Sequence, residues 1–308
     1  LLRTLSDNNE EDVMYPIWKN GKIVGGEDAV YSVYSSPLMF GDTAFSMMRT
    51  YNKKIFDLDD HIDRTLTTCN ILEVDIPYTK AELAAAHQDL LDLCIKMHPD
   101  VEEWRLLHNM DRGILPMYRD MLGDEGKSNV IITCFPLKYV LKGKSHLYTE
   151  GIHAVVSSQR AIPQDLLDAK LKTRSRQHYQ MANLEVARQY PEAWALMLTP
   201  DGYVSEFTGA NIFTIKDGKV YTPKGTHCLR GITRQAVIEM INAIEKDLTL
   251  YDLHTADGIF ATCTPFGVVP VSRLSGCYYD PLRISRIMGL WVEEVKTDYV
   301  KQAIRWDI

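Results

Sequence analysis

Lys172, Glu206 and the turn Gly231-Ile232-Thr233 follow one another through the second half of the chain, and each type has a definite chemistry. A lysine amine adds to an aldehyde once desolvation or neighbouring cations lower its pKa. Arg174 and Arg176 are such cations. A carboxylate such as Glu206 keeps a pyridine nitrogen protonated, which makes the ring an electron sink for a carbanion at a substrate Cα. A helix start such as Ile232-Thr233 offers amides, and here a hydroxyl, to a phosphate. The three together suit pyridoxal phosphate. Arg64, in His61-Ile62-Asp63-Arg64, adds a guanidinium that forks onto phosphate oxygens. The segment Phe260-Ala261-Thr262-Cys263-Thr264 adds Cys263 and a second threonine, Thr264.

Each residue also has a plainer reading. Lys170 and Lys172 read as solvated loop lysines, and Glu206 as an acid at the surface end of a strand. Arg64 reads as an exposed helix arginine paired with Asp60 four positions earlier. Phe260–Thr264 reads as a core strand ended by Pro265. Order along the chain, rather than any single residue, carries the functional reading.

These residues need elements to position them. Ile17 to Phe56 has a strand-like pattern, with a hairpin signal at Lys19-Asn20-Gly21-Lys22. Helices are expected over Leu58–Leu72, opened by Asp59 and Asp60, and over Lys80–Met97 after Pro77. Trp104–Met110 and the nearly apolar Asn129–Leu137 read as strands. In the second half, Tyr179, Ala182, Val186 and Tyr190 recur at helical spacing, so Lys172 lies just before a helix. Asp217-Gly218 marks a hairpin. Helices are expected over Thr233–Lys246, with Val237, Ile238, Ile241 and Ile244 on one face, and over Ile284–Val300. The division expected is a flexible tail over 1–16, a small α/β domain over 17–137, a basic linker over 138–146 and a large domain over 147–308. The class is α+β, without the regular alternation of a doubly wound sheet.

Composition narrows the roles. The 308 residues suffice for one large or two medium domains. A net charge of −7 argues against a nucleic-acid or anionic-membrane surface. The six cysteines form no C-x-x-C pair, which argues against zinc and disulfides and suits a reducing cytoplasm. No metal site is expected. No apolar run is long enough to span a bilayer. No secretory signal is visible, and the chain begins at Leu1, as a trimmed chain would. Ser6 to Asp12 is polar and acidic, as a mobile tail is.

As a set these segments resemble the class IV pyridoxal-phosphate-dependent aminotransferases of fold type IV. That family includes branched-chain and D-amino acid aminotransferases, amine transaminases and aminodeoxychorismate lyase. The likeness runs through Trp18-Lys19-Asn20-Gly21-Lys22, Phe40-Gly41-Asp42-Thr43-Ala44-Phe45, Leu58 to Arg64, Lys172-Thr173, Glu206 to Phe213, Leu229 to Arg234, Phe260 to Thr264 and Pro270-Val271. It covers nearly all of the chain after about residue 16.

The resemblance implies a small α/β domain, a larger β-barrel-like domain with helices, and a homodimer whose sites are shared between subunits. It implies that Lys172 holds the cofactor covalently and moves a proton, and that Glu206 pairs with the ring nitrogen. Arg64, Ile232, Thr233 and Thr264 hold the phosphate, Leu229 packs on the ring, and Asn211 lines the cavity. Tyr179 stands near the position from which relatives touch the phenolic oxygen. Met117 stands where the D-amino acid enzymes carry a carboxylate-binding arginine after Arg112-Gly113. Phe45, Met47 and Met117 form an apolar substrate pocket, and Arg49, Arg105, Arg119, Arg174 and Arg176 are candidates for the substrate carboxylate. The activity expected is transfer of an amino group between an aliphatic or aromatic amino acid and a 2-oxo acid. A pyruvate-eliminating lyase and a non-catalytic binding relative are the alternatives. Retention of Lys172, Glu206, Arg64 and Thr233 argues against the last.

Overall fold

The structure, a computed structural model, describes residues 15–307. The tail expected over Ser6–Asp12 lies outside the described residues. Two compact units emerge. One holds the described residues up to Leu137 together with Lys172–Ser175, and the other holds Lys138–Leu171 and Arg176 onward.

The first unit is built on six strands, β1 (Ile17–Lys19), β2 (Lys22–Val24), β3 (Ala44–Tyr51), β4 (Lys54–Ile55), β5 (Trp104–Asp111) and β6 (Asn129–Pro136). They form one antiparallel sheet in the order β2-β1-β6-β5-β3-β4. The first hairpin turns at Asn20 and Gly21, whose φ of 50° and 86° are the positive pair that such a two-residue turn needs. Helices α1 (Ser36–Phe40), α2 (Leu58–Ile71), α3 (Lys80–Met97) and α4 (Pro116–Leu122) complete the unit. The start of α3 is set by a capping box between Thr79 and Glu82.

Strand alternation sorts the two faces of this sheet. Ala44 and Met48 on β3, Leu106 and Met110 on β5, and Ile132 and Cys134 on β6 join Ile62 of α2 and Leu83, Leu90, Leu91 and Cys94 of α3 in one buried core. Slipping any strand by one residue would turn this apolar set outward, so the core fixes the register. The opposite face of β3 and β5 is therefore also fixed. There Phe45 faces Asn109, Met47 faces Leu107 and Arg49 faces Arg105.

The second unit has nine strands, β7 (Ile152–Arg160), β8 (Trp194–Leu198), β9 (Val204–Phe207), β10 (Asn211–Lys216), β11 (Lys219–Pro223), β12 (Ile244–Lys246), β13 (Gly258–Cys263), β14 (Gly267–Leu274) and β15 (Cys277–Tyr278). Their order is β12-β11-β10-β13-β14-β7-β8-β9, with β15 on β14. The pairs β11–β12, β14–β7 and β7–β8 are parallel. Helices α5 (Lys138–Leu141), α6 (Gln177–Ala187), α7 (Ile232–Ile241), α8 (Leu250–His254), α9 (Ser285–Val295) and α10 (Tyr299–Asp307) belong to it.

Three stretches differ from the sequence expectation. The helix expected over Thr233–Lys246 stops at Ile241, because Asn242 turns left-handed (φ 53°) and caps it. Ile244 then pairs with Tyr221 in β12 instead of extending the helix face. The helix expected over Ile284–Val300 is broken at Lys296 (φ 52°), and Asp298 Oδ1 accepts from Lys301 N (3.0 Å) to start α10. Lys138–His146, expected to be aperiodic, contains the helical turn α5 and enters a 3-10 turn at Ser145. Asp307 at the far end of the unit accepts from the Gly143 and Ser145 amides and holds this stretch down.

Candidate functional site

Each unit positions its own group of the expected site residues. In the first unit, Lys172 is held by main chain against the start of β3. Phe45 N donates to Lys172 O (3.0 Å), Arg174 N donates to Thr43 O (2.9 Å), and Thr173 bridges Ala44. In an extended segment Lys172 and Arg174 point to the same side. Both reach the Phe45 ring, with the Lys172 ammonium 4.9 Å and the Arg174 guanidinium 3.9 Å from its centroid. Cation–ring contacts of this kind contribute about 0.5–2 kcal/mol each. Arg174 also donates twice to Asn109 Oδ1, at 3.1 and 2.9 Å. Lys172 and Arg174 thus share one ring as a common platform.

Arg64 leaves α2 toward β3. Its Nη2 donates to Ser46 Oγ (2.6 Å), and that oxygen lies 2.8 Å from His61 Nδ1. His61 is buried, and its pKa is held well below the usual histidine range, first by desolvation and then by the Arg64 charge. It is a neutral imidazole beside a cation. The acids on the outer side of α2 face elsewhere: Asp63 pairs with Lys80 (2.6 Å).

Of the expected substrate residues, Phe45, Met47, Arg49 and Arg105 share one face of β3 and β5, and Arg174 lies over that face. Arg49 is buried and stacks 3.9 Å over Tyr51, while Arg105 Nε donates to Met47 Sδ (2.8 Å). Met117 and Arg119 sit apart, on α4. The Met117 side chain is 76% exposed, and Arg119 Nε donates to Ile114 O (3.1 Å).

In the second unit, Glu206 on β9 is only 6% exposed. Its Oε1 accepts from the Tyr179 hydroxyl (2.7 Å), and its Oε2 accepts from Asn211 Nδ2 (2.9 Å) and the Leu229 amide (3.2 Å). Three neutral donors thus fix a buried carboxylate, each bond to such an ion contributing about 1.5–3 kcal/mol. Tyr179 is therefore a partner of Glu206. Burial first, and then the Glu206 charge, push its hydroxyl well above the ordinary tyrosine pKa, so it stays protonated and donates. Arg176 stacks 4.4 Å over the Tyr179 ring and bonds Thr208 O.

Asn211 Nδ2 also donates to Leu229 O (2.9 Å), which ties the β10 start to the strand-to-helix turn. That turn needs glycine. A Cβ on Gly231 would stand 2.2 Å from Asn211 Oδ1. Gly231 is also the N-cap of α7 and has no side chain to serve the first amides, so those of Ile232 and Thr233 are left for another acceptor. Thr233 is buried beside them. Asn211 pairs with Thr262, which puts Cys263 at the end of β13 and Thr264 in the turn that follows. Capless helix amides behind a glycine are donors that fit a phosphate monoester, and so, within the first unit, is the Arg64 guanidinium. The buried carboxylate fits a pyridinium nitrogen.

Ser46, Asn109 and Thr208 escaped the sequence reading. Ser46 had a signal, being a polar residue between Ala44 and Met48 on the core-facing side of a strand. Asn109 and Thr208 had none, since each works through a contact distant in sequence. Among the described residues no helix is long and apolar enough to cross a membrane, and no group of His, Cys, Asp or Glu is placed to hold a metal ion.

Comparison with known proteins agrees with this chemistry. The profile of the class IV amino-transferases matches residues 43–274. A putative branched-chain-amino-acid aminotransferase of Methanocaldococcus jannaschii is 31% identical over 302 residues, covering 94% of this chain and 98% of that protein. The branched-chain-amino-acid aminotransferase of Pseudomonas aeruginosa is 30% identical over 278 residues, covering 84% and 85%. Among solved structures, the branched-chain aminotransferase of Thermoproteus uzoniensis with norvaline superposes with a TM-score of 0.78 at 26% identity, over 94% of this chain and 97% of that one. A T.th. branched-chain amino acid aminotransferase with pyridoxamine 5'-phosphate gives 0.79 at 25% identity, over 91% and 93%. The fold is thus fold type IV, as expected from the sequence. The chain belongs to the class IV aminotransferases and is a pyridoxal-phosphate-dependent transaminase.

Proposed function

We propose that this transaminase acts on aliphatic amino acids, branched-chain ones first, and that the two groups of residues described above carry the reaction. The observation that supports the assignment best is the buried Glu206 carboxylate fixed by Tyr179, Asn211 and the Leu229 amide. Pyridoxal phosphate, when bound, supplies an aldehyde carbon that takes the amino group and a ring that accepts electrons. Lys172 Nζ would hold the cofactor and, once released as a free amine, would take the proton from the substrate Cα. Glu206 would keep the ring nitrogen protonated. Arg64 of the first unit, and the Ile232 and Thr233 amides, the Thr233 hydroxyl and Thr264 of the second, are the groups that would hold the phosphate. Leu229, whose main chain is pinned by Glu206 and Asn211, would pack on the ring, and Cys263 would line the cofactor site.

Phe45 and Met47 offer an apolar surface to a side chain, and Arg174, anchored on Asn109, is the arginine we assign to the substrate carboxylate. The naming of the relatives as branched-chain enzymes supports this class. No observation favours the lyase reading. We also infer a homodimer, because Val33, Leu38 and Phe40 are 64%, 64% and 66% exposed in one short segment, an apolar patch that self-association would cover. Six free cysteines suit a cytoplasmic enzyme.

The test is a half-reaction. Holoenzyme is mixed with L- and D-forms of leucine, valine, phenylalanine and glutamate, and with primary amines, and the loss of cofactor absorbance is timed. Branched-chain amino acids of one hand should react fastest. Faster reaction with amines lacking a carboxylate would overturn the role of Arg174 and the substrate class together.

A further inference from the structure

We propose that Ser46 and His61 are positioning residues for Arg64, aiming its guanidinium and so setting how tightly a phosphate is held. This rests on the reading of Arg64 as a phosphate anchor. Ser46 is fully buried on the helix-facing side of β3, where an apolar side chain would serve the core equally well. A hydroxyl there requires partners. It has two, Arg64 Nη2 at 2.6 Å and His61 Nδ1 at 2.8 Å.

A guanidinium only donates, so Ser46 Oγ accepts from Arg64. Ser46 keeps one proton of its own, and His61 Nδ1 is its remaining partner. With the imidazole neutral, as burial and the Arg64 charge favour, Nδ1 takes that proton in the tautomer that carries its hydrogen on Nε2. Arg64 Nη2 is also 3.5 Å from His61 Nδ1, so the three groups form a closed cluster.

His61 itself is braced. Its carbonyl accepts from the Thr65 hydroxyl (2.9 Å), and Thr65 Oγ1 lies 2.8 Å from His108 Nε2. His108 stands opposite Ser46 in the β3–β5 register, and its Nδ1 is 2.9 Å from His87 Nε2 on α3. The chain of buried polar groups therefore runs from α3, through β5 and α2, to the guanidinium. A long arginine side chain loses orientation readily in water, and this cluster counters that loss.

The experiment measures binding of pyridoxal phosphate and of unphosphorylated pyridoxal to the apoenzyme. Ser46→Ala should raise the Kd for pyridoxal phosphate about fivefold, the loss expected of one hydrogen bond, and leave the pyridoxal Kd within roughly twofold. His61→Asn keeps an acceptor near the Nδ1 position and should stay within roughly twofold of the native protein, whereas His61→Phe should match Ser46→Ala. In an Arg64→Ala background, Ser46→Ala should add nothing. An equal loss for pyridoxal, or an undiminished loss in the Arg64→Ala background, would show that Ser46 acts by packing and overturn the proposal. If Arg64→Ala weakens pyridoxal phosphate and Ser46→Ala does not, the positioning role alone fails. If Arg64→Ala leaves binding unchanged, the anchor reading fails and takes the proposal with it.

Discussion

The Arg64 group and the Glu206 group solve opposite electrostatic problems with the same means. In the first unit a cation is held by a hydroxyl beside a neutral imidazole. In the second a carboxylate is held by a phenol, an amide side chain and a backbone amide. In both, the hydrogen-bond partners just named are neutral groups, which orient a charge through their dipoles without cancelling it. The contrast with Arg234 is instructive. That buried arginine bonds the Glu245 carboxylate and Pro223 O, and its role in the second unit is structural.

Lys172 stands beside the Arg64 group but acts by bond-making and proton transfer. Lys172→Ala should lower turnover by roughly 10³-fold or more, and borohydride reduction with peptide mapping should label Lys172 and not Lys170 in the native enzyme. Label on Lys170 would undo the assignment. Glu206→Gln keeps the shape and removes the charge. Turnover should fall about a hundredfold with pyridoxal phosphate still bound, as for the loss of one preorganised electrostatic contact. Near-native turnover would reduce Glu206 to a strand-end acid. Arg64→Ala should act on binding rather than chemistry, raising the Kd for pyridoxal phosphate about ten- to hundredfold, with a smaller change in kcat at saturating cofactor.

The smallest effect concerns the imidazoles behind Arg64. Burial lowers the His87 pKa from 6.5 to about 4, and holds His61 and His108 well below their ordinary value. Unfolding frees them to take up protons below about pH 6.5, so the unfolded state gains protons before the folded one. Stability contributed by these groups is therefore complete above about pH 6.5 and is lost as pH falls from there toward 4. Thermal melts across this range should show Tm falling with pH, and His87→Gln should flatten the slope. An unchanged slope would mean that His87 is not neutral in the folded protein.

Much of the frame was legible in the chain. Asn20-Gly21 and Asp217-Gly218 announced their hairpins because few residues adopt positive φ cheaply, and both pairs do so here. Helix α3 runs over the expected Lys80–Met97 because its cap and its periodicity are both local. The ends of α7 and α9 were not legible. Asn242 and Lys296 turn left-handed at points where the apolar pattern continues, and tertiary pairing of Ile244 with Tyr221 decided the outcome.

Residue types along the chain already hold the inventory of chemistry: a lysine, an acid, a glycine-opened helix and an arginine in family order, hence a class IV aminotransferase. Those residue types are local facts, and their order survives any packing. Which partners hold them was decided only in three dimensions. Tyr179 found Glu206, Arg174 found Asn109, and Ser46 came between Arg64 and His61 through sheet register and helix packing. Those contacts join residues 15 to 65 positions apart, and no local periodicity encodes them.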